Sequence, residues 1–218
     1  MDWNSIAKLA REAFRDAVND WIGRARVQGG QVRGPDAILT PGSLVSDGDI
    51  EGTMVRKMSA AHAPAAISGA IARELAAAWN SWAAGFQAHV AGAYPSFAAF
   101  PGPVAPPTPA APIALASGVS VGEAALKAPV LGAKLGAAVR RFAGGASGSA
   151  DAAMTGLAEW VDNSFREWKS LTKLVGVMGR VNAPTFAPPY VPVAPVAVGD
   201  VASAGPVFAG PRFGKVVI

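Results

Sequence analysis

Two tracts of proline limit what this chain can fold into. Pro95, Pro101, Pro103, Pro106, Pro107, Pro109 and Pro112 crowd residues 95–112, and Pro184, Pro188, Pro189, Pro192 and Pro195 crowd residues 184–195. Proline lacks the backbone N–H and fixes its own φ, so neither tract can be helix interior or central strand. Both are expected to run as polyproline-like extended arms, at about 3 Å per residue. Regular helices must therefore lie outside them.

Apolar spacing places those helices. Trp3, Ile6, Ala10, Phe14, Ala17, Val18, Trp21 and Ile22 recur at three- and four-residue steps, with Lys8, Arg11, Glu12, Arg15, Asp16 and Asp20 on the other face. This predicts an amphipathic helix over 3–27, stopped by Gly29-Gly30. Residues 29–53 hold Gly34-Pro35-Asp36, Pro41-Gly42-Ser43 and Asp47-Gly48-Asp49, and read as a turn-dense connector. A second stripe, Ile67, Ile71, Leu75, Trp79, Trp82, Phe86 and Val90, predicts a helix running toward Tyr94 and ended by Pro95. A third comprises Leu157, Trp160, Val161, Trp168, Leu171, Val175 and Met178.

The second and third stripes are related. At an offset of 89 residues Trp79 falls on Trp168, Ser81 on Ser170 and Pro95 on Pro184. At the same offset Phe97-Ala98 falls on Phe186-Ala187, and Pro103-Val104-Ala105-Pro106 on Pro192-Val193-Ala194-Pro195. Alanine matches carry no weight in so alanine-rich a chain, but a tryptophan, a Phe-Ala pair and a tetrapeptide at one offset do. Upstream, Val55-Arg56-Lys57-Met58 resembles Val139-Arg140-Arg141-Phe142 with about five extra residues before the second helix. The chain is expected to be a duplicated helix-plus-arm module.

Composition fits a protein whose surface is covered. Apolar residues make up 51% and charged residues 16% of the 218 positions, with 25 Gly and 18 Pro. Disordered chains are poorer in apolar residues and richer in charge, and ordinary enzymes carry roughly a quarter charged residues. The net charge of +4 is spread through short clusters such as Arg56-Lys57 and Arg140-Arg141. Specific nucleic-acid binding calls for a denser basic stripe with interleaved aromatics.

Catalytic equipment is sparse. There is no cysteine, hence no thiolate nucleophile or thiolate metal site, and the two histidines, His62 and His89, have neither HExxH nor facial-triad spacing. Asp47 and Asp49 share an Asp-x-Asp spacing without the rest of a calcium loop. Gly144-Gly145-Ala146-Ser147-Gly148-Ser149 lacks the GK[ST] ending of a phosphate loop and reads as a linker, with Ser149 or Asp151 capping the next helix. No enzyme activity, cofactor or metal is expected.

The competing reading is a membrane-associated or pore-forming protein, because no Asp, Glu, Lys or Arg occurs from Leu75 through Gly122. Leu75 to Ala93 is nearly long enough to span a bilayer, but it contains Asn80, Ser81, Gln87 and His89 and is dominated by alanine. Its counterpart in the third stripe carries Arg166, Glu167, Lys169 and Lys173. The early Asp2 and the lack of an apolar h-region argue against a secretory signal.

Across residues 54–205 the charge-poor, Ala/Pro-rich make-up, with helix-plus-arm units, resembles minor structural proteins of tailed-phage virions and contractile injection machines. The likeness is one of style, rests on no diagnostic motif and transfers no functional residue. It implies a place in a head, neck, tail or baseplate, with assembly in the cytoplasm into a virion or similar particle and other structural subunits as homo- and hetero-oligomeric partners.

The expected fold is mainly α, with long irregular segments. Its divisions are an N-terminal helix (1–28), a connector (29–53), unit one (54–118), a second connector (119–138), unit two (139–205) and an apolar tail (206–218) that docks on its own chain or a partner. Strands are expected only near Val119–Val121 and Val216–Ile218. Contacts with neighbours are expected from the helical aromatics Trp3, Phe14, Trp21, Trp79, Trp82, Phe86, Trp160 and Trp168. The arms are expected to add Phe97, Phe100, Phe186 and Tyr190 as anchors.

Overall fold

The computed structural model describes residues 2–33, 36–91, 110–144, 147–180, 186–187, 191–192 and 200–214. The fold is mainly α, with several small antiparallel sheets. Helix α1 (Trp3–Arg24) begins at Asp2, whose side chain accepts from Asn4 N at 3.0 Å, and buries Trp3, Ile6, Ala10, Phe14, Ala17, Val18 and Trp21 on one face. It stops three residues before the expected end. Arg26 and Val27 instead form strand β1 (Arg26–Val27), because they pair across the chain with β4 (Leu44–Val45).

The segment expected to be a bare connector also holds β2 (Gln31–Arg33) and β3 (Asp36–Leu39), which pair antiparallel. Helix α2 (Ile50–Ala60) follows. Asp49, weighed above for calcium, is its N-cap and accepts from Gly52 N at 2.8 Å.

Helix α3 (Ala65–Ala84) ends at Gly85, short of the expected Tyr94. Phe86 and Val90 therefore lie in strand β5 (Phe86–Val90), where burial alternates along the strand and Phe86, Ala88 and Val90 face inward. Period two takes over from period 3.6 once the helix is capped. Strands β6 (Ile113–Ala114) and β7 (Val119–Ser120) precede a 3-10 turn at Val121–Leu126 and helix α4 (Ala128–Ala143). Helix α5 (Ser147–Leu171) starts earlier than expected, so Ser149 and Asp151 lie inside it instead of capping it. Val175 and Met178 fall beyond its end, and Leu171 is 53% exposed. Strands β8 (Lys173–Leu174), β9 (Val177–Arg180), β10 (Phe186–Ala187), β11 (Val191–Pro192), β12 (Asp200–Ser203) and β13 (Phe208–Ala209) complete the chain.

Helices α2 and α3 pack as one hairpin and α4 and α5 as another, with α1 lying against α2, α3 and α5. The main sheet runs β2-β3-β5-β7, and smaller sheets run β13-β8-β6 and β12-β9. Strands are thus spread more widely than the sequence led us to expect, though each is short.

Ionic contacts lock α4 onto α5. Asp162 of α5, 6% exposed, accepts from Ala128 N at 3.0 Å and so caps α4 from outside it. Its other oxygen makes no well-aligned hydrogen bond, but lies 3.0 Å from Arg166 Nε and 3.7 Å from Lys127 Nζ. Glu123 joins the network through Lys127 at 4.0 Å and also pairs with Lys169 at 2.6 Å. Replacing Asp162 with Ala removes the cap and leaves two cations without their shared anion. The expected loss is about 2 kcal/mol of unfolding free energy, read by urea denaturation of the variant beside the parent.

Candidate functional site

The aromatic side chains expected to meet other subunits mostly meet one another. Trp3, Phe14, Trp21, Trp79, Trp82, Phe86 and Trp168 are all at most 3% exposed, and Trp160 is half-buried. Trp79 is the hub. Its ring centroid lies 5.0 Å from that of Trp82, 5.4 Å from Phe213, 5.6 Å from both Trp21 and Trp168, 6.1 Å from Phe165 and 6.3 Å from Phe14. Most of these contacts are edge-on or tilted, as ring quadrupoles favour. The indole N–H groups of Trp3, Trp79 and Trp82 are buried with no hydrogen-bond partner among the described residues, so packing and not polarity sets their positions. The helical stripes are this chain's own core, in place of the docking faces expected of them. Of the arm residues, Phe97, Phe100 and Tyr190 lie outside the described residues, and Phe186 is placed in β10.

Three members of this core were not foreseen: Phe165, Phe208 and Phe213. Phe165 had a signal, since it stands three residues before Trp168 on the same helical face. Phe213 had none, because an irregular segment carries it. The Asn19 side chain holds it from both sides: Phe213 N donates to Asn19 Oδ1 at 3.0 Å, and Asn19 Nδ2 donates to Phe213 O at 3.1 Å. A Cβ at Gly214 would approach Trp160 to 2.9 Å, and its φ of +68° also favours glycine. Val207 bridges the two halves, its N–H donating to Ala25 O while its carbonyl accepts from Val175 N. The segment 200–214 therefore docks on its own chain, and 215–218 lie outside the described residues.

An open cleft of about 1010 Å³ lies between α1 and this segment, lined by Arg15, Asp16, Asn19, Asp20, Arg24 and Arg212 among others. Its carboxylates are engaged: Asp16 with Arg15 at 3.1 Å and Lys57 at 2.5 Å, Asp20 with Arg24 at 3.1 Å. His89, expected near a helix end, is on β5, and its Nε2 lies 2.8 Å from Asp36 Oδ2 on β3. Among the described residues no group of three or more His, Asp or Glu is placed to hold a metal, and no helix is long and apolar enough to cross a membrane.

The remaining candidate surface is where β5, β9 and β12 flank the two proline-rich segments. Ala37 pairs with Val90 just before residues 92–109, and Ala110 N donates to Val177 O just after them. Arg180 and Asp200 pair directly on either side of 181–199. Gly29 N donates to Val201 O, and a Cβ at Gly30 would touch both Ile38 O and Val201, so β12 lies against β2 and β3. The points where both segments begin and end are thus gathered on one β platform.

No known protein family, curated protein or solved structure matches this chain.

Asp16 gives the cleft a pH signature. Burial raises its carboxyl, but hydrogen bonds from Lys57 and Arg15 outweigh that and hold it below the usual 3.8. A lowered folded value contributes stability at pH above 3.8 and loses it as pH falls through the folded value. Asp16→Asn is expected to flatten that part of the acid limb of a thermal-stability profile, with the parent converging on the variant at the lowest pH.

Proposed function

We propose that this chain is a non-catalytic structural subunit of a large multi-protein particle, of virion or injection-machine type. Its two proline-rich segments, and not its tryptophan helices, are its docking elements. One observation carries the reading. Strands β10 and β11, inside the second segment, pair as Phe186↔Pro192 and Ala187↔Val191, nested within the β9–β12 pairing that ends at Arg180↔Asp200. The two registers differ by only two residues, although β10–β11 and β9–β12 are separate two-stranded sheets. An isolated two-stranded ribbon is marginal in water and presents two open edges. Such an element gains its stability from a neighbour. Proline on it limits uncontrolled edge pairing.

Duplication supports the same reading. Buried α3 positions Ser68, Ala72, Leu75, Ala76, Trp79 and Ala83 correspond at the 89-residue offset to the buried Leu157, Val161, Ser164, Phe165, Trp168 and Thr172. The matched tetrapeptides 55–58 and 139–142 both lie toward the ends of the preceding helices, α2 and α4. Two similar hairpins, each followed by a strand and a proline-rich segment, give one chain two quasi-equivalent arms for meeting different neighbours.

The direct pairing of Arg180 with Asp200 allows a clean test. Residues 181–199 can be replaced by Asn-Gly, a sequence that closes a two-residue hairpin. The shortened chain is expected to keep its helical circular-dichroism spectrum and melt within about 3 °C of the parent, a shift of roughly 1 kcal/mol. It is expected to lose the oligomers that native mass spectrometry resolves for the full chain. A full chain that is monomeric at every concentration, or a shortened chain that assembles equally well, would refute the proposal.

A further inference from the structure

The main sheet treats its two edges differently. On the β2 side, β12 lies alongside: Gln28 bridges Ala202, and Gly29 N donates to Val201 O. On the other side, among the described residues, β7 pairs with β5 alone, as Phe86↔Ser120 and Gln87↔Val119. Ser120 turns inward and donates to Trp82 O at 2.7 Å. Val119 and Val121 flank it at 64% and 84% exposure, the two most exposed large apolar side chains among the described residues.

Free sheet edges are ordinarily blunted by charge, above all by lysine. This one is not, since no charged residue occurs from Ala110 through Gly122. The segment 181–199, which carries β10 and β11, is uncharged as well. Joining the two surfaces removes apolar area from water and strands no charge in an interface.

Resting on the subunit reading above, we propose that the β7 edge receives the β10–β11 pair of a second copy of this chain. The strands that flank residues 181–199, β9 and β12, lie at the β2 side of the sheet, and the acceptor lies at the opposite, β7 side. In addition, β12 stands level with Ile38 and His89, whereas β7 pairs three residues further back along β5, about 10 Å away. The arm thus starts away from its own acceptor. A contact between two different surfaces is heterologous, so copies join head to tail and close into a ring or extend as a filament. Main-chain pairing supplies the affinity of such strand addition, and Val119 and Val121 form its apolar contact.

Because the chain has no cysteine, disulfide trapping has no background. Val119→Cys and Ala187→Cys chains, mixed and oxidised, are expected to give a disulfide-linked dimer far in excess of either chain alone. A mixture that forms oligomers on native mass spectrometry but gives no excess dimer would overturn the assignment. As an independent arm, Val121→Lys places a charge on an exposed position, so the fold and melting temperature should hold while self-association weakens at least tenfold. Unchanged association of this variant would also overturn it. If Val121→Lys associates normally while the Asn-Gly variant does not, the acceptor edge is wrong and the subunit reading survives. If the full chain never self-associates, both fall.

Discussion

Trp79 sits where four parts of the chain converge. Its ring meets Phe14 and Trp21 from α1, Trp82 on its own helix, Phe165 and Trp168 from α5, and Phe213 from the last described segment. Large rings in mutual contact bury much area per residue, and their edge-to-face preference restricts how the helices can rotate. The rest of the arrangement follows from that. The hairpins α2–α3 and α4–α5 are brought together by Trp79 and Trp168, and α1 covers the seam. The alanines at 10, 13, 17, 72, 76 and 158, all almost fully buried, let the backbones come close enough for rings to fill the spaces between.

On the proposed subunit reading, association uses what lies outside the core, because the core is spent on the chain itself. The β7 edge is unpaired among the described residues beyond its pairing with β5 and has no charge from Ala110 through Gly122, and residues 181–199 are uncharged as well. In a free monomer such surface is a hazard. In the subunit proposed above it is the means of assembly. The polar ties elsewhere have the opposite character. Asp162 with Lys127 and Arg166, Glu123 with Lys169, and Asn19 with the Phe213 backbone all close the chain upon itself. These ties hold the helices and the last described segment to one another.

Much of the helical architecture was legible in the sequence. The 3.6-residue stripes located α1, α3 and α5, and the gaps between the proline tracts bounded them. The offset linking Trp79 to Trp168 marked two side chains that do meet. Helix ends were less legible: α3 gives way to β5 at Gly85 because strand partners, β7 and then β3, are waiting there, and nothing local announces them. Most strands went unseen for the same reason. At two to five residues each they carry too little pattern, and they exist because a distant segment supplies their hydrogen bonds.

The meaning of the aromatic stripes could not be read locally at all. A tryptophan stripe has the same spacing whether it faces its own core or a neighbour, since periodicity reports a buried face without saying what buries it. Only the three-dimensional path resolves this, by bringing Phe213 to Asn19 across 194 residues and sealing the rings inside. The sequence by itself determined where helices could form, where proline forbade them and that charge would be scarce, because these are properties of single residues and short spacings. The tertiary structure decided which apolar surface was consumed within the chain and which edge stayed bare, because burial depends on contacts between segments that are far apart in sequence.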